Sequence, residues 1–322
     1  MMLVIYGPTA TGKTTLAIEL AQKYNGELIS ADSRQVYRGL DIGTGKVSFT
    51  SKIGKHQGFW IVDDVKIHGF DLVNPGQRFS VADFLTFANS SIVQTIKLNK
   101  LPIIVGGTGF YIKALINGIG SIGIPLNPKL RQQLEKLSTT DLYQKLLEIN
   151  PKRAQSMNDS DRKNPRRLIR AIEIATYNKK LKTRNLKRKI IHYQLPTTNY
   201  QLVGLTAPNF YLYNRSDKWL EERLSHGMVD EVKNLLDQKV KPQWLDDLGL
   251  EYRWLTRYLL GQITKEEAIN RLRGDIHSFI RRQKTWFRQF PNIYLFDISK
   301  PSWRQKLEKI VSLCYTQTNV AR

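Results

Sequence analysis

Apolar residues over the first 120 positions follow two alternating patterns. Short, mainly apolar segments at 3–6, 27–30 and 102–105 predict strands, and the last of these is a run between proline and glycine, as buried parallel strands often are. Helical periodicity at 14–24 and 110–116 follows the first and third of them. This alternation predicts an α/β fold with a doubly wound parallel sheet, which binds ligands at the carboxyl ends of its strands.

The stretch 123–196 has a different pattern, because it begins and ends near prolines and is mainly helical in period. Its predicted helices are 128–137, 140–149 and 163–178. We therefore predict a helical insertion domain at 123–196 within a catalytic core formed by 1–122 and 197–322. The elements predicted after the insertion are strand 201–205, helices 210–225, 228–238, 250–260 and 264–287, strand 292–297 and helix 302–316.

The chain is strongly basic, with 50 Lys and Arg against 28 Asp and Glu, a formal net charge of +22. Such an excess favours a polyanionic partner, and RNA or DNA fits it better than a membrane. A merely basic, soluble surface is the alternative. No apolar stretch approaches the ~20 residues that a membrane helix needs, so no membrane association is expected.

Cysteine usage and the amino terminus predict a cytoplasmic location. Cys314 is the single cysteine, so no disulfide forms within the chain. Met1 leads directly into the first strand, which leaves no room for a signal peptide. One cysteine and five histidines also exclude a zinc finger.

A complete G-x-x-x-x-G-K-T phosphate loop lies between the first strand and the first helix. Glycines let its backbone N–H groups approach an anion, and the helix start adds partial positive charge. Lys13 supplies a full charge and Thr14 a hydroxyl suited to Mg²⁺. The loop predicts a bound diphosphate or polyphosphate without identifying it. Its residues are Gly7, Pro8, Thr9, Ala10, Thr11, Gly12, Lys13 and Thr14.

Two further polar segments follow predicted strands at the same edge of the sheet. Asp32 comes directly after the second strand, where it is a candidate general base, a Mg²⁺ partner through water, or a helix N-cap. Thr108, in a glycine-rich segment after the third strand, is a candidate for the same site or the cap of the next helix.

Three basic segments are candidate nucleic-acid contacts. Arg166 and Arg170 share one helix face, although a surface role suits Arg170 equally. In the helix 277–288, arginines alternate with Trp and Phe. This pattern suits a nucleic-acid contact, but an amphipathic core helix has it too. Seven of eleven residues are basic in 179–189, which predicts a phosphate-backbone contact or a solvated loop. By contrast, 59–63 has the pattern of a Walker-B strand, which would favour an ATPase.

Taken in order, these motifs resemble the tRNA dimethylallyltransferase family, also called tRNA isopentenyltransferase, in its bacterial form. The later stretches 215–231 and 281–288 resemble it too. In contrast, 47–67 is longer than expected, 247–252 replaces an Ile-Gly-Tyr-Lys-like pattern, and the zinc finger of eukaryotic relatives is absent. The motifs that carry the resemblance are the phosphate loop, Ala31–Tyr37, Asp41–Lys46, Val105–Tyr111 and Arg166–Glu173.

The resemblance implies transfer of a dimethylallyl group from dimethylallyl diphosphate to N6 of the adenosine 3′ of the anticodon. The phosphate loop would then hold the leaving diphosphate together with Mg²⁺ at Thr14, helped by Arg223 and Arg281. Asp32 would act as the general base, and Thr108 would orient either Asp32 or the substrate.

The resemblance also implies a tRNA anticodon stem-loop as partner, with the acceptor base flipped into the site. A monomer is expected. Two alternatives remain on the residues alone: a small-molecule P-loop kinase of nucleoside or shikimate type, and an RNA-dependent ATPase. The implied tRNA contacts are Asp32, Ser33, Arg34, Gln35, Thr108, Arg131, Arg166, Arg167, Leu168, Ile169 and Arg170.

Overall fold

The computed structural model describes residues 1–183, 195 and 199–320. The chain divides into two compact units: Met1–Gly118 together with Gln194–Arg322, and Ile119–Tyr193 between them. The sequence places the boundaries of the insertion at 123 and 196. Among the described residues, no helix combines the length and the apolar character needed to cross a bilayer.

The first unit contains an eight-stranded sheet, ordered β3-β4-β5-β2-β6-β1-β7-β8. The strands from β5 to β8 in this order are parallel, whereas β3, β4 and β5 form an antiparallel meander at one edge. The strands are β1 Met2–Tyr6, β2 Gly26–Ser30, β3 Ile53–His56, β4 Phe59–Val62, β5 Val65–His68, β6 Leu101–Gly106, β7 Tyr200–Thr206 and β8 Tyr294–Asp297.

The central strands explain the continuous apolar runs of the sequence. Every residue of β1 and β6 is buried, and Leu3 pairs with Ile103 on one side and with Gln201 on the other. A strand covered on both faces needs apolar residues at every position, since neither side meets water. The predicted doubly wound parallel sheet is confirmed.

Fourteen α-helices occur in the described part of the chain, of which α4–α8 lie in the second unit. A 3-10 turn, Trp286–Gln289, follows the thirteenth. The helices are α1 Lys13–Lys23, α2 Val81–Lys97, α3 Gly109–Asn117, α4 Pro128–Leu134, α5 Thr139–Ile149, α6 Pro151–Gln155, α7 Asp159–Arg162, α8 Pro165–Thr183, α9 Asn209–Ser225, α10 Met228–Asp237, α11 Pro242–Leu248, α12 Leu250–Leu259, α13 Lys265–Thr285 and α14 Trp303–Val320.

Helix α2 and the edge meander of β3, β4 and β5 were not predicted from the sequence. Helix α2 begins with a capping box in which Ser80 and Asp83 bond reciprocally, a signal present in the sequence. The Walker-B interpretation of 59–63 is wrong, because Phe59–Val62 is an antiparallel strand of the edge meander. Asp63 lies in the turn after it, and its carboxylate accepts a hydrogen bond from the Lys52 N–H at 2.9 Å.

The second unit has its own hydrophobic core, in which α5 packs against α8. Lys179–Thr183 forms the end of α8, so only this part of the basic segment 179–189 is described, and the rest lies outside the described residues. The buried core residues are Leu134, Leu142, Leu146, Ala154, Met157, Leu168, Ile169, Ala171, Ile172 and Ala175.

A buried lysine connects the segment that follows β2 to the segment that follows β5. Lys46 is fully buried, and its ammonium group contacts the carboxylates of Asp41 and Asp71 at 2.7 and 2.5 Å. It also donates to the Tyr37 carbonyl at 2.8 Å. Asp71 accepts a further bond from the indole N–H of Trp60 at 2.7 Å. The charge is therefore compensated within the fold.

Replacing Lys46 by methionine should destabilise the protein strongly. Two carboxylates would lose their buried partner, which costs about 3–5 kcal/mol in the free energy of unfolding. The matched control is Lys55→Met, because Lys55 pairs with the same Asp41 from an exposed position and should cost less than about 1 kcal/mol. Urea unfolding measures both, and equal losses would contradict the assignment.

Candidate active site

The phosphate loop is a tight backbone turn between β1 and α1. Gly12 and Ala10 adopt left-handed φ angles of 75° and 67°, and α1 begins at the next residue, Lys13. A Cβ on Gly7 would lie 2.9 Å from the Leu205 carbonyl of β7, so only glycine fits there. Close packing at Gly7 and the left-handed conformation at Gly12 thus explain the two glycines of the loop.

Gln283, on α13, joins two loops of the site. Its side-chain carbonyl accepts the Thr9 N–H of the phosphate loop at 2.9 Å, and its amide donates to the Gly107 carbonyl at 3.0 Å. The hydroxyl of Tyr6 donates to the Gln283 backbone carbonyl. The side chain is buried, with its residue 4 % exposed. Gln283 therefore fixes the phosphate loop against the glycine-rich loop after β6.

Asp32 and Thr108 belong to facing loops at the carboxyl ends of β2 and β6. The Asp32 carboxylate accepts the Arg34 N–H at 2.9 Å, within a turn rather than at the start of a helix. Thr108 precedes α3, yet its hydroxyl accepts the Ser33 N–H at 3.1 Å instead of capping that helix. The Thr108 N–H in turn donates to Ala31 at 3.2 Å. Asp32 is therefore not a helix N-cap, whereas Thr108 occupies the N-cap position of α3 without a capping hydrogen bond to its side chain.

Arg34 and Gln35 make internal contacts. The Arg34 guanidinium lies 2.9 Å from the carboxylate of Glu251, whose pKa is raised by burial and lowered in part by this pairing. The Gln35 carbonyl accepts from the Ser30 hydroxyl at 2.7 Å, and its amide donates to Thr44 and Gly45 carbonyls at 3.3 Å.

A cavity of about 970 Å³ lies next to the phosphate loop. Lys13, Thr14 and Asp32 line it, and so do three cations of α9. Burial lowers the pKa of Lys13 to about 8, opposed by the negative charge of Asp32. The cations of α9 in this lining are Arg215, Lys218 and Arg223.

The two arginines predicted to assist the diphosphate differ in position. Arg223 is buried in the cavity lining and donates to the carbonyls of Ile42 and Val47 at 2.8 and 3.2 Å. Arg281 lies outside this lining, exposed on α13, and donates to the hydroxyls of Tyr213 and Ser278, both at 2.7 Å. Arg223 alone of the pair faces the cavity.

Sequence reasoning missed Arg215, Lys218 and Gln283 as site residues. The Arg215 guanidinium donates to the Ala10 carbonyl of the phosphate loop at 2.7 Å, more than 200 residues away in the chain. Spacing within α9 offered only a weak signal, because several of its polar residues are exposed. The contact itself depends on the tertiary packing of α9 within the first unit.

Several basic residues of the second unit form ion pairs within that unit. Arg131 makes a bidentate contact with the buried carboxylate of Glu173, both bonds at 2.8 Å. Arg170 contacts the same carboxylate at 3.3 Å and donates to the Ile124 carbonyl at 3.0 Å. These contacts lower the pKa of Glu173 against the effect of burial. Arg131 and Arg170 therefore stabilise this unit.

The remaining predicted residues of α8 separate by burial. Arg166 and Arg167 are exposed, and Arg167 pairs with Asp161. The side chains of Leu168 and Ile169 are 0 and 5 % exposed in the core of the second unit. As a correction to the sequence-based expectation, these two side chains are not presented to a partner.

The residues that line the cavity suit a magnesium ion whose oxygen ligands come mainly from a bound phosphate group and water. Thr14, the second residue of α1, places its hydroxyl in the lining together with the carboxylate of Asp32. Within the described ranges, no three His, Cys, Asp or Glu side chains cluster as a metal site. Mg²⁺ commonly takes one or two protein ligands and fills the rest with phosphate oxygens and water.

The lowered pKa of Lys13 predicts a pH-dependent affinity for inorganic diphosphate. Lys13 is a cation below pH 8 and loses its charge above it, so affinity should fall as pH rises through 8, by up to roughly tenfold per pH unit. Calorimetric titration with Mg²⁺ from pH 7 to 9.5 measures it. The control, Lys13→Arg, stays charged throughout. A constant ratio between the two affinities would contradict the role of Lys13.

The chain is similar in sequence to known proteins of one family. Residues 35–290 match the family model described as IPP transferase. The chain is 37% identical over 314 residues to the tRNA dimethylallyltransferase of Roseiflexus sp., covering 96% of this chain and 97% of that protein.

Solved structures give the same family and fold. The tRNA isopentenylpyrophosphate transferase of Bacillus halodurans aligns with a TM-score of 0.68 and 31% identity, covering 99% of this chain and 98% of that one. A eukaryotic dimethylallyltransferase acting on tRNA shares the fold, with a TM-score of 0.74, 24% identity and coverage of 96% and 77%. The chain belongs to the IPP transferase family.

Proposed function

We propose that this protein transfers a dimethylallyl group from dimethylallyl diphosphate to N6 of the adenosine 3′ of the anticodon in tRNA. The observation that carries the proposal is one cavity lined by a phosphate loop, by Asp32 and by the cations of α9. Family membership and the names of the relatives support the same reaction.

The diphosphate of the donor binds at the phosphate loop Gly7–Thr14, where Lys13 supplies a positive charge. Arg215 and Lys218 suit this role better than Arg281, because they line the cavity. Arg223 offers a further donor: within the described chain, its buried Nε has no hydrogen-bond partner. A buried N–H without a partner costs free energy that an anionic ligand would recover. These cations stabilise the charge that grows on the departing diphosphate.

Magnesium is the proposed cofactor, held by the Thr14 hydroxyl and by diphosphate oxygens. When bound, it supplies further neutralisation of the leaving group.

Asp32 is the proposed general base, with Thr108 as its neighbour in the facing loop. The N6 lone pair attacks C1 of the dimethylallyl group, the C1–O bond breaks, and diphosphate leaves with the bonding electrons. The proton released from N6 moves to the Asp32 carboxylate. The base must be flipped out of its stack to reach this carboxylate.

The anticodon stem-loop is the proposed RNA partner. Near the cavity, Ser33, Arg34 and Gln35 share the turn of Asp32 and are proposed to contact the loop nucleotides. Because Arg34 and Gln35 are also bonded within the protein, they shape this turn in addition to contacting the RNA. In the second unit, the exposed side chains of α8 named above suit phosphate contacts, whereas Arg131 and Arg170 would act by stabilising that unit.

The proposed setting is a cytoplasmic monomer. A chain with one cysteine suits a reducing compartment, and tRNA is the proposed substrate there. Light scattering of the purified protein measures the oligomeric state.

Incubation with unmodified tRNA and labelled dimethylallyl diphosphate, followed by nucleoside mapping, tests the function. We expect label on N6 of the adenosine 3′ of the anticodon. ATP turnover with a small acceptor and no prenyl transfer would support the kinase alternative instead. RNA-stimulated ATP hydrolysis without prenyl transfer would support the ATPase.

Replacing Asp32 by alanine should leave tRNA binding largely intact but lower turnover by roughly 10²–10⁴-fold, the usual effect of losing a general base. Single-turnover rates and tRNA affinity are measured in parallel. The control is Asp237→Asn, an exposed carboxylate at the end of α10. Unchanged turnover in Asp32→Ala would remove this residue from the mechanism.

Neutralising the basic residues of 179–189 should weaken tRNA affinity and reduce its dependence on salt. Each lost phosphate contact lowers the slope of log affinity against log salt by about one. Filter binding between 50 and 200 mM salt measures the slope. If the slope stays at its wild-type value, this segment does not contact the RNA backbone.

A further inference from the structure

The cavity lining contains an apolar region as well as the phosphate loop and the cations of α9. Such a lining suits a ligand with an anionic head and a short hydrocarbon tail, because charge and apolar surface are both provided. The apolar side chains in the lining are Ile18, Val47, Phe49, Ile67, Phe70 and Trp219.

Two of these side chains, Phe49 and Trp219, are fixed by one guanidinium group. The Arg223 guanidinium carbon lies 4.8 Å from the centroid of each ring. Phe49 also stacks on His226, with ring centroids 4.0 Å apart and an interplanar angle of 12°. Since cation–π contacts gain strength when desolvated, buried Arg223 holds both rings in place.

The loop that carries Phe49 is itself anchored at several points. Arg223 donates to the carbonyls of Ile42 and Val47. The Glu231 carboxylate accepts the N–H groups of Asp41, Ile42 and Gly43 at 2.7, 2.6 and 3.0 Å.

The same loop packs closely against α9. A Cβ on Gly45 would come 3.0 Å from the Trp219 ring, and Gly45 has a left-handed φ of 60°. The amide of Gln35 donates to the carbonyls of Thr44 and Gly45. A loop held by Glu231, Gln35 and Arg223 forms a rigid wall rather than an adaptable one.

We propose that Phe49 and Trp219, locked by Arg223, form the subsite that binds the prenyl tail and limits its length. This rests on the proposed function and adds to it the residues that select a five-carbon donor. A rigid aromatic wall excludes a longer chain because neither ring can move aside without breaking the stack with Arg223. Phe49 is the specificity-determining residue, since it carries the aromatic ring by which the anchored loop lines the cavity.

The test is the ratio of kcat/KM for geranyl diphosphate to kcat/KM for dimethylallyl diphosphate, with tRNA as acceptor. Phe49→Ala opens the wall, so the ratio should rise at least tenfold over wild type. Phe49→Leu keeps an apolar side chain of intermediate size, so its ratio should rise less. Thermal melting establishes that each variant is folded, and Phe49→Leu serves if Phe49→Ala does not fold.

The matched control is Phe59→Ala. Phe59 also stacks on a histidine, His56, with centroids 4.8 Å apart, but it lies on β4 outside the cavity lining. Its ratio should equal that of wild type.

An unchanged ratio in folded Phe49 variants, including a parallel loss of both activities, would overturn the proposal. An equal rise in the Phe59 control would overturn it as well. Wild-type protein that transfers no prenyl group to tRNA would instead refute the proposed function itself, so the two failures are distinguishable.

Discussion

The bridge made by Gln283 is the constraint on which the geometry of the site depends. One buried amide accepts a backbone N–H from the phosphate loop and donates to a backbone carbonyl of the loop after β6. Both loops leave neighbouring parallel strands, so their separation is set by the sheet, and the amide fixes how they face each other. A side chain with one acceptor and one donor is required, because an apolar replacement would leave the partly buried Thr9 N–H and the buried Gly107 carbonyl without this partner.

The large positive charge is divided between two uses. Buried and partly buried cations stabilise the fold or shape the cavity: Lys46 binds two carboxylates, Arg34 pairs with Glu251, and Arg223 holds two aromatic rings. Exposed cations, such as Arg166, lie at the surface, where a polyanion can approach them. A formal charge of +22 therefore overstates the part of the charge that meets a partner, and the pairing of each cation has to be known before a role is assigned.

Burial also explains why the cavity suits a diphosphate. The lowered pKa of Lys13 shows that burial makes its charge costly, and the buried Nε of Arg223 has no hydrogen-bond partner in the described chain. Both costs fall when an anion enters. The free energy released favours ligand binding, and the same groups then stabilise the additional charge of a leaving group.

The sequence by itself determined the features that depend on neighbouring residues. Gly12 and Lys13 act through the local backbone conformation at the helix start, and the apolar runs of β1 and β6 act through periodicity. The phosphate loop and the parallel sheet were therefore predictable, although Gly7 is required by its close approach to the Leu205 carbonyl of β7. Helix α2 was missed although its capping box is local, and the edge meander was missed because its strands are short.

Tertiary structure alone decided which polar side chains meet. Arg215 forms a hydrogen bond with Ala10, and Gln283 forms one with Thr9. Arg131 pairs with Glu173 instead of being presented to RNA. In the first two of these contacts the partners lie more than 200 residues apart, and in the third they lie 42 apart. No local pattern encodes such pairs, because they form only when the packing of helices against the sheet, or against one another, brings the groups within hydrogen-bond distance.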